Sequence, residues 1–210
     1  MKAATTSTLD ALLQRRAIRA FDPVTVPPET RERILRAACA APSSFNSQPY
    51  RLVWIETPEK KKKAAELCLG QTAAKSASVL VVAVADLGLW KTTSAGQLQW
   101  MREAGFPENK IAEYEKKAKF AKWFYRQGPL NLLGAVKWAI LKAVHPWKVI
   151  GMVPVTKQGL FKWATKAAAL ACGNLMIAAE ALGFSTCPME GFDGVRLARF
   201  LGVRGARRRS

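Results

Sequence analysis

The chain has 210 residues, half of them apolar, and carries 33 Lys and Arg against 15 Asp and Glu, a formal net charge of +18. This length predicts one domain with a substantial core, and the near-zero mean hydropathy excludes a disordered chain and a multi-span membrane protein. The charge predicts an anionic partner and leaves three classes open: nucleic acid, an anionic membrane face, or small phosphorylated molecules.

The first part of the chain predicts two helices and a loop. Leucines at helical spacing indicate a helix over roughly Ser7–Arg16. A second helix begins near Pro28, where proline suits the first turn, and ends before Pro42. Ser43–Gln48 is then predicted to be a loop.

A strand, a helix and a second strand follow. Tyr50–Glu56 alternates and is rich in residues that favour strands, whereas Thr57 is placed to start a helix that runs to about Leu69. Val79–Ala85 is a short unbroken apolar run, which is typical of a buried strand. We expect that strand to be central in its sheet.

The middle of the chain, from about residue 90 to 159, predicts an inserted helical lobe in which tryptophans alternate with lysines. Its most apolar part, Leu130–Val155, is interrupted by three lysines and Pro146. Because charged residues are expensive inside a bilayer, this stretch predicts no membrane span.

The last part of the chain predicts a long helix over about Leu160–Leu182, with alanines along one face and Gly183 at its end. Ser185–Phe192 is predicted to be a strand or extended loop, and Asp193 to cap a final short helix. Helices around a few strands, without regular βαβ alternation, indicate an α+β sandwich in a single domain over residues 1–210.

Several kinds of active site are excluded by missing patterns. The sequence has no GxGxxG and no GxxxxGK[ST] motif, so neither a Rossmann fingerprint nor a P-loop is present. The single histidine, His145, has no evident serine or cysteine partner, which argues against a hydrolase triad. The cysteines (Cys39, Cys68, Cys172 and Cys187) form no CxxC pair and no zinc-like spacing, so no metal site is predicted.

With no secretory signal at Met1–Asp10, we expect reduced thiols and a cytoplasmic protein.

Three segments have residue types that suit a bound cofactor. Within Arg15–Arg19, guanidinium groups three and four residues apart can converge from a helix end on a phosphate. Ser43–Tyr50 offers small hydroxyl and amide side chains, and Cys187–Asp193 contains a glycine that lets backbone N–H groups approach a flat ring. The alternatives are a solvated basic helix end, a polar turn, and a turn before a capped helix.

Taken together and in order, these segments resemble the nitroreductase family. The pattern consists of RRxxR near the amino terminus, PSSxNxQPY after it, and an alanine-rich helix that runs into GFSTCPMEGFD. The resemblance covers residues 12–86 and 160–200 and is poor between them. It implies an α+β sandwich with a mostly antiparallel central sheet surrounded by helices, and a homodimer with FMN at the subunit interface. It also implies NAD(P)H as donor, with nitroaromatics, quinones or flavins as acceptors.

Residue roles follow from the resemblance by position in the motifs. It implies that Arg15, Arg16 and Arg19 hold the FMN phosphate, while Ala17 stands where the family often has serine. The residues implied to approach the flavin from the neighbouring subunit are Ser43, Ser44 and Asn46.

Further residues are implied at the flavin ring itself. Gln71 is expected near the pyrimidine edge, and the reactive edge is expected to face the segment made of Pro188, Met189, Glu190 and Gly191. Three aromatic side chains are expected to cover the substrate, with core packing as the alternative for each: Phe45, Trp123 and Phe124.

The carboxyl end departs from the family, whose members usually continue for some tens of residues. We expect either a truncated end or an arginine tail, Arg204–Arg209, that replaces missing cations. The leading hypothesis is a ping-pong, FMN-dependent reductase of small-molecule acceptors. The alternatives are a basic protein that binds a membrane or nucleic-acid surface, with nucleic acid the less favoured and peripheral membrane contact open, and a degenerate, non-catalytic family member.

Overall fold

The computed structural model of the chain describes residues 7–151 and 153–203. The described residues divide into two units. The first draws on residues 7–42, 51–84 and 168–203, and the second on residues 43–50, 85–151 and 153–167. The predicted arginine tail, from Arg204 onward, lies outside the described residues.

The first two helices form where the sequence predicts them, with shorter ends. Helix α1 spans Thr8–Gln14, and the Ser7 hydroxyl caps it by accepting a hydrogen bond from the Asp10 amide at 3.1 Å. Helix α2 spans Pro28–Cys39, with proline in its first turn, where no intrahelical N–H partner is needed. The predicted loop after it contains a short 3₁₀ turn over Ser44–Asn46.

The sheet of the described residues has two strands, β1 (Tyr50–Ile55) and β2 (Leu80–Ala85). The amide of Asp86, just after β2, donates to the carbonyl of Pro49, just before β1, at 2.8 Å. The end of one strand therefore lies beside the start of the other, and the strands are antiparallel. Among the described strands β2 has this one partner, so it does not reach the central position expected for it.

The core of the first unit lies between this sheet and its helices. Helix α3 (Pro58–Leu67) and the short helix α4 (Thr72–Ser76) bury alanines against Ile55 and Leu80. Lys60, Lys62 and Lys63 on α3 are exposed, as expected for a solvated face, whereas Lys61 is half-buried. Helix α4 was not predicted, because five residues are too few for a periodic signal.

The remaining helices are α5 (Trp90–Glu103), α6 (Glu108–Tyr125), α7 (Leu132–Val144), α8 (Lys157–Ala181) and α9 (Gly194–Phe200). Helices α5 to α7 fall within the predicted lobe, whose status as an insertion stays a prediction. Helix α8 buries the expected alanine face, including Ala164, Ala168 and Ala171. The Asp193 carboxylate caps α9 as predicted, by accepting from the Arg196 amide at 2.9 Å.

Aromatic side chains form the core of the second unit. Trp90, Phe124 and Tyr125 are buried with Ala121 and Leu160. The Trp90 and Tyr125 rings are stacked at a centroid distance of 5.8 Å, and Phe124 meets Tyr125 edge-on at 5.2 Å. No helix among the described residues is both long and apolar enough to cross a membrane.

Candidate functional site

The basic segment Arg15–Arg19 lies beyond α1 rather than on it. The helix ends at Gln14, and Arg15 already has the extended backbone angles φ −51° and ψ 130°. Arg15 and Arg16 therefore lie outside α1, where the sequence predicted them to be on it, and the convergence of the guanidinium groups on a phosphate stays a prediction. Arg16 instead donates to the carbonyls of Leu13 and Arg15, which satisfies free acceptors at the carboxyl end of α1.

A backbone bridge brings this segment to the carboxyl-terminal motif. Ala17 pairs with Thr186 in a parallel bridge, and the Ile18 amide donates to the Thr186 carbonyl at 3.2 Å. Residues 169 positions apart in the chain are thus neighbours, at the place where the sequence predicts an extended segment. The bridge holds the arginines next to the chain that leads into Pro188–Gly191.

Two buried polar atoms at this bridge have no partner among the described residues. They are Nη1 of Arg15 and Oγ1 of Thr186. A buried guanidinium nitrogen without an acceptor is costly, and native proteins normally satisfy such a group with protein, water or ligand. A phosphate oxygen is a suitable acceptor for such a guanidinium nitrogen. Thr186 was not predicted as a site residue, although its place beside Cys187 in the motif could have indicated it.

The segment after the bridge is held by Gln71, the residue that precedes α4. Its side-chain amide donates to the Gly191 carbonyl at 2.7 Å and to the Cys68 carbonyl at 3.2 Å. A Cβ at position 191 would lie 3.2 Å from the same Gln71 nitrogen, so a side chain there would crowd this contact. Pro188, Glu190 and Gly191 are exposed, and Met189 is half-buried and packs on the core of the first unit. The segment that follows the bridge is therefore accessible to solvent at Pro188, Glu190 and Gly191.

The polar loop of the second unit is held in an uncommon conformation. Phe45, Asn46 and Gln48 all have positive φ, at 58°, 49° and 40°, and residues other than glycine rarely adopt such backbone angles. The Gln48 backbone N–H donates to the Ser43 hydroxyl at 2.9 Å, and the Asn46 side-chain amide donates to the Gln97 side-chain oxygen, also at 2.9 Å. Strain of this kind, maintained by specific hydrogen bonds, is concentrated at functional sites in proteins.

Aromatic side chains lie beside that loop within the same unit. Phe45 meets Phe120 and Phe124 edge-on, at centroid distances of 5.7 and 5.4 Å. Phe124 is buried and also packs against Trp163, whereas Trp123 is exposed. Of the three aromatics predicted to cover a substrate, Phe124 thus lies in the core, and Phe45 and Trp123 retain accessible surface.

A buried pair of hydroxyl groups, from Ser47 and Tyr125, anchors this loop. The hydroxyls of Ser47 and Tyr125 lie 2.7 Å apart, and Ser47 is almost completely buried. Burial raises the pKa of Tyr125, and the hydrogen bond with Ser47 opposes that shift. Tyr125 is therefore a neutral hydrogen-bonding residue at physiological pH, a structural support that sequence patterns did not indicate.

Other features of the described residues do not form a competing site. An open cleft of about 570 Å³ runs along the outer side of α2, and none of the predicted site residues line it. No group of His, Cys, Asp and Glu among residues 7–151 and 153–203 could hold a metal ion. His145 is exposed at the end of α7.

Comparison with known proteins identifies a family. The sequence model of the Nitroreductase family matches residues 12–208. The chain is 28% identical over 195 residues to Protein DrgA of Synechocystis sp., covering 92% of this chain and 76% of that protein. It is 29% identical over 193 residues to an NADH dehydrogenase of Thermus thermophilus, covering 92% of this chain and 78% of that protein.

Solved structures show the same fold. A candidate nitroreductase of Exiguobacterium sibiricum, determined in complex with FMN, superposes with a TM-score of 0.72. Its sequence identity is 21%, and the match covers 99% of this chain and 85% of that chain. The α+β sandwich fold predicted from the sequence is therefore confirmed.

Proposed function

Because this chain belongs to the nitroreductase family, we propose that it is an FMN-dependent oxidoreductase that takes electrons from NAD(P)H. The observation that carries the proposal is the unpartnered, buried Nη1 atom of Arg15 beside the Ala17–Thr186 bridge. A fixed guanidinium nitrogen that lacks an acceptor suits one oxygen of a phosphate, since arginine binds phosphate through charge-assisted hydrogen bonds. When bound, FMN would supply the hydride chemistry itself.

Other residues of the first unit would bind the phosphate and position the backbone near the ring. Arg15 and Thr186 would bind the phosphate, and the exposed Arg19 would add positive charge. Gln71 would position the backbone of Glu190 and Gly191, because its amide already donates to the Gly191 carbonyl. The lack of a side chain at Gly191 would let a flat ring approach that backbone.

The proposal extends to the reaction order, the acceptor and the assembly. We infer a ping-pong order in which NAD(P)H and then a nitroaromatic, quinone or flavin occupy the same place. Ser43, Ser44 and Asn46 would approach from the neighbouring subunit of a homodimer, and Phe45 and Trp123 would border the acceptor. The strained, hydrogen-bonded loop at Phe45–Gln48 supports a binding role for that segment. A single domain with an inserted lobe and a cytoplasmic location stay predictions.

The test is FMN binding by the purified protein and by two arginine variants. The wild-type protein is expected to be yellow or to take up FMN with quenching of flavin fluorescence. Arg15→Gln should weaken FMN binding about ten- to a hundredfold, the value of a hydrogen bond to a charged group. Arg33→Gln, an exposed position on α2, removes the same charge and should leave the affinity unchanged.

Several results would contradict parts of the proposal. A colourless protein that takes up no FMN would refute flavin binding, and equal affinities for the two variants would refute the role of Arg15. FMN binding without NADH or NADPH oxidation, for every acceptor tried, would favour the non-catalytic alternative. Mass measurement with and without FMN tests the homodimer.

A further inference from the structure

Helix α7 has its apolar side chains outward and its charged side chain inward. The buried positions are Gly134 and Lys137, and Leu141 and Val144 on the same side are half-buried. The rest of the helix faces solvent and is apolar apart from Lys142. We call this face, with the chain that follows it, the α7 surface; its large exposed residues are Leu132, Leu133, Val136, Trp138, Ile140, Trp147 and Val149.

Contacts on the inner side fix this orientation. The Lys137 ammonium group donates to the carbonyls of Phe124 and Arg126, and its nitrogen lies 5.0 Å from the centre of the Trp123 ring. A Cβ at Gly134 would collide with the Val155 carbonyl oxygen, so no other residue fits there without a shift. The helix cannot rotate to bury its leucines without breaking these contacts. The exposure of the α7 surface is therefore built into the second unit.

An apolar surface of this extent needs a partner, because soluble proteins rarely expose large contiguous apolar patches. Its charges indicate which partner. The sequence has no Asp or Glu between Glu115 and Glu180, whereas Lys and Arg recur throughout that stretch. Lys142 and Lys148 are exposed within the α7 surface, and the Lys142 nitrogen lies 4.9 Å from the Trp138 ring centre.

We propose that the α7 surface is a docking site for an anionic lipid bilayer, on which α7 lies in the plane of the interface. Leucine, valine and isoleucine would enter the acyl boundary, and Trp138 and Trp147 would lie at the headgroup level, which tryptophan favours. Lys142 and Lys148 would reach the lipid phosphates while their stems cover apolar surface. At 13 residues α7 is about 20 Å long, too short to span a bilayer and suited to lie on one.

Two other occupants fit the chemistry less well. Nucleic acid would pair with the lysines but not with exposed leucine, valine and isoleucine, because its backbone contacts are charged and polar. A second copy of the chain would bring two lysine-bearing surfaces together with no carboxylate between Glu115 and Glu180 to neutralise them. An anionic membrane satisfies both the apolar and the cationic side chains at once.

Vesicle sedimentation tests this proposal on the full chain. The protein should sediment with phosphatidylcholine vesicles that contain about 30% phosphatidylglycerol and remain in solution with pure phosphatidylcholine. Binding should weaken with rising salt, because the lysine contribution is screened. The double variant Ile140→Ser/Trp147→Ser should reduce partitioning at least about tenfold, since each change removes apolar surface from the lipid contact. Lys142→Gln/Lys148→Gln should reduce it by a similar factor.

Trp100→Ser is the control, because Trp100 lies on α5, outside the α7 surface, and is also an exposed tryptophan. This control should bind vesicles as the wild-type protein does. Circular dichroism and FMN titration of every variant should match the wild type, so a failure of lipid binding is distinct from a failure of flavin binding. The proposal is overturned if the wild-type protein ignores anionic vesicles, or if Trp100→Ser loses as much binding as the α7 variants. It is also overturned if Ile140→Ser/Trp147→Ser converts a dimer to a monomer, since a second copy would then cover this surface.

Discussion

Helices α3 and α7 solve the same packing problem in opposite ways. Helix α3 exposes Lys60, Lys62 and Lys63 and buries Ala64, Ala65 and, just past its end, Cys68. Helix α7 buries Gly134 and Lys137 and leaves its large apolar residues outside. The difference shows that apolar residues at helical spacing identify the buried face of α3, whose other side faces water, but not the buried face of α7. Where inward contacts are specific enough, a lysine and a glycine can take the inner side.

The largest effect on stability is expected at Gly134, because the orientation of α7 requires that this position have no side chain. In Gly134→Ala the new Cβ would collide with the Val155 carbonyl oxygen and would lie 2.6 Å from the Asn131 side-chain nitrogen. The backbone must shift, and we expect the free energy of unfolding to fall by about 3 kcal/mol. Urea unfolding followed by circular dichroism measures this change.

The control is Gly96→Ala in the interior of α5. A Cβ at Gly96 would meet no atom within 4 Å, so alanine should stabilise the helix by about 1 kcal/mol. Equal effects of the two substitutions would mean that α7 is not fixed by the close approach at Gly134.

A smaller effect is expected at Lys137, the inward cation of α7. Lys137→Met removes the donor to the Phe124 and Arg126 carbonyls but also removes the cost of burying a charge. We expect a net loss of about 1–3 kcal/mol, because the buried carbonyls lose their partner. Lys62→Met on the exposed side of α3 should stay within about 0.5 kcal/mol of wild type in the same urea titration. A Lys137→Met protein as stable as Lys62→Met would contradict the inward anchor.

The smallest effect is expected in how the free energy of unfolding depends on pH, to which Cys68 and Lys137 contribute with opposite signs. Burial raises the pKa of the Cys68 thiol above its usual 9.0. The native state then holds a proton that the unfolded chain has lost, so the free energy of unfolding should fall as pH rises through 9.0. Burial lowers the pKa of Lys137 below 10.5, so its contribution should instead rise with pH up to that value.

Urea midpoints at pH 8 to 10 in the wild type, Cys68→Ala and Lys137→Met separate the two contributions. Cys68→Ala should flatten the fall, and Lys137→Met should steepen it. Cys172, whose thiol pKa is also raised by burial, adds a fall of the same sign in all three proteins. Unchanged slopes in both variants would show that neither buried group is coupled to folding in this range.

Much of the fold followed from local patterns. The ends of α2, β1, β2 and α9 lie within a few residues of their predicted positions, because prolines, a capping aspartate and apolar runs act over one or two turns of chain. Helix α8 likewise keeps the predicted alanine face. The order of the arginine, serine–asparagine and CPMEG segments was enough to predict the family, which the comparisons confirm.

The sequence by itself determined most of the segments that are helix or strand, and which family they belong to, since both depend on residues near one another in the chain. Only the tertiary structure decided that Arg15 lies on an extended segment, that Thr186 is paired with Ala17, and that Gln71 holds Gly191. It also decided which side of α7 faces outward. Each of these depends on contacts between distant residues, and such contacts leave no periodic trace in a single sequence.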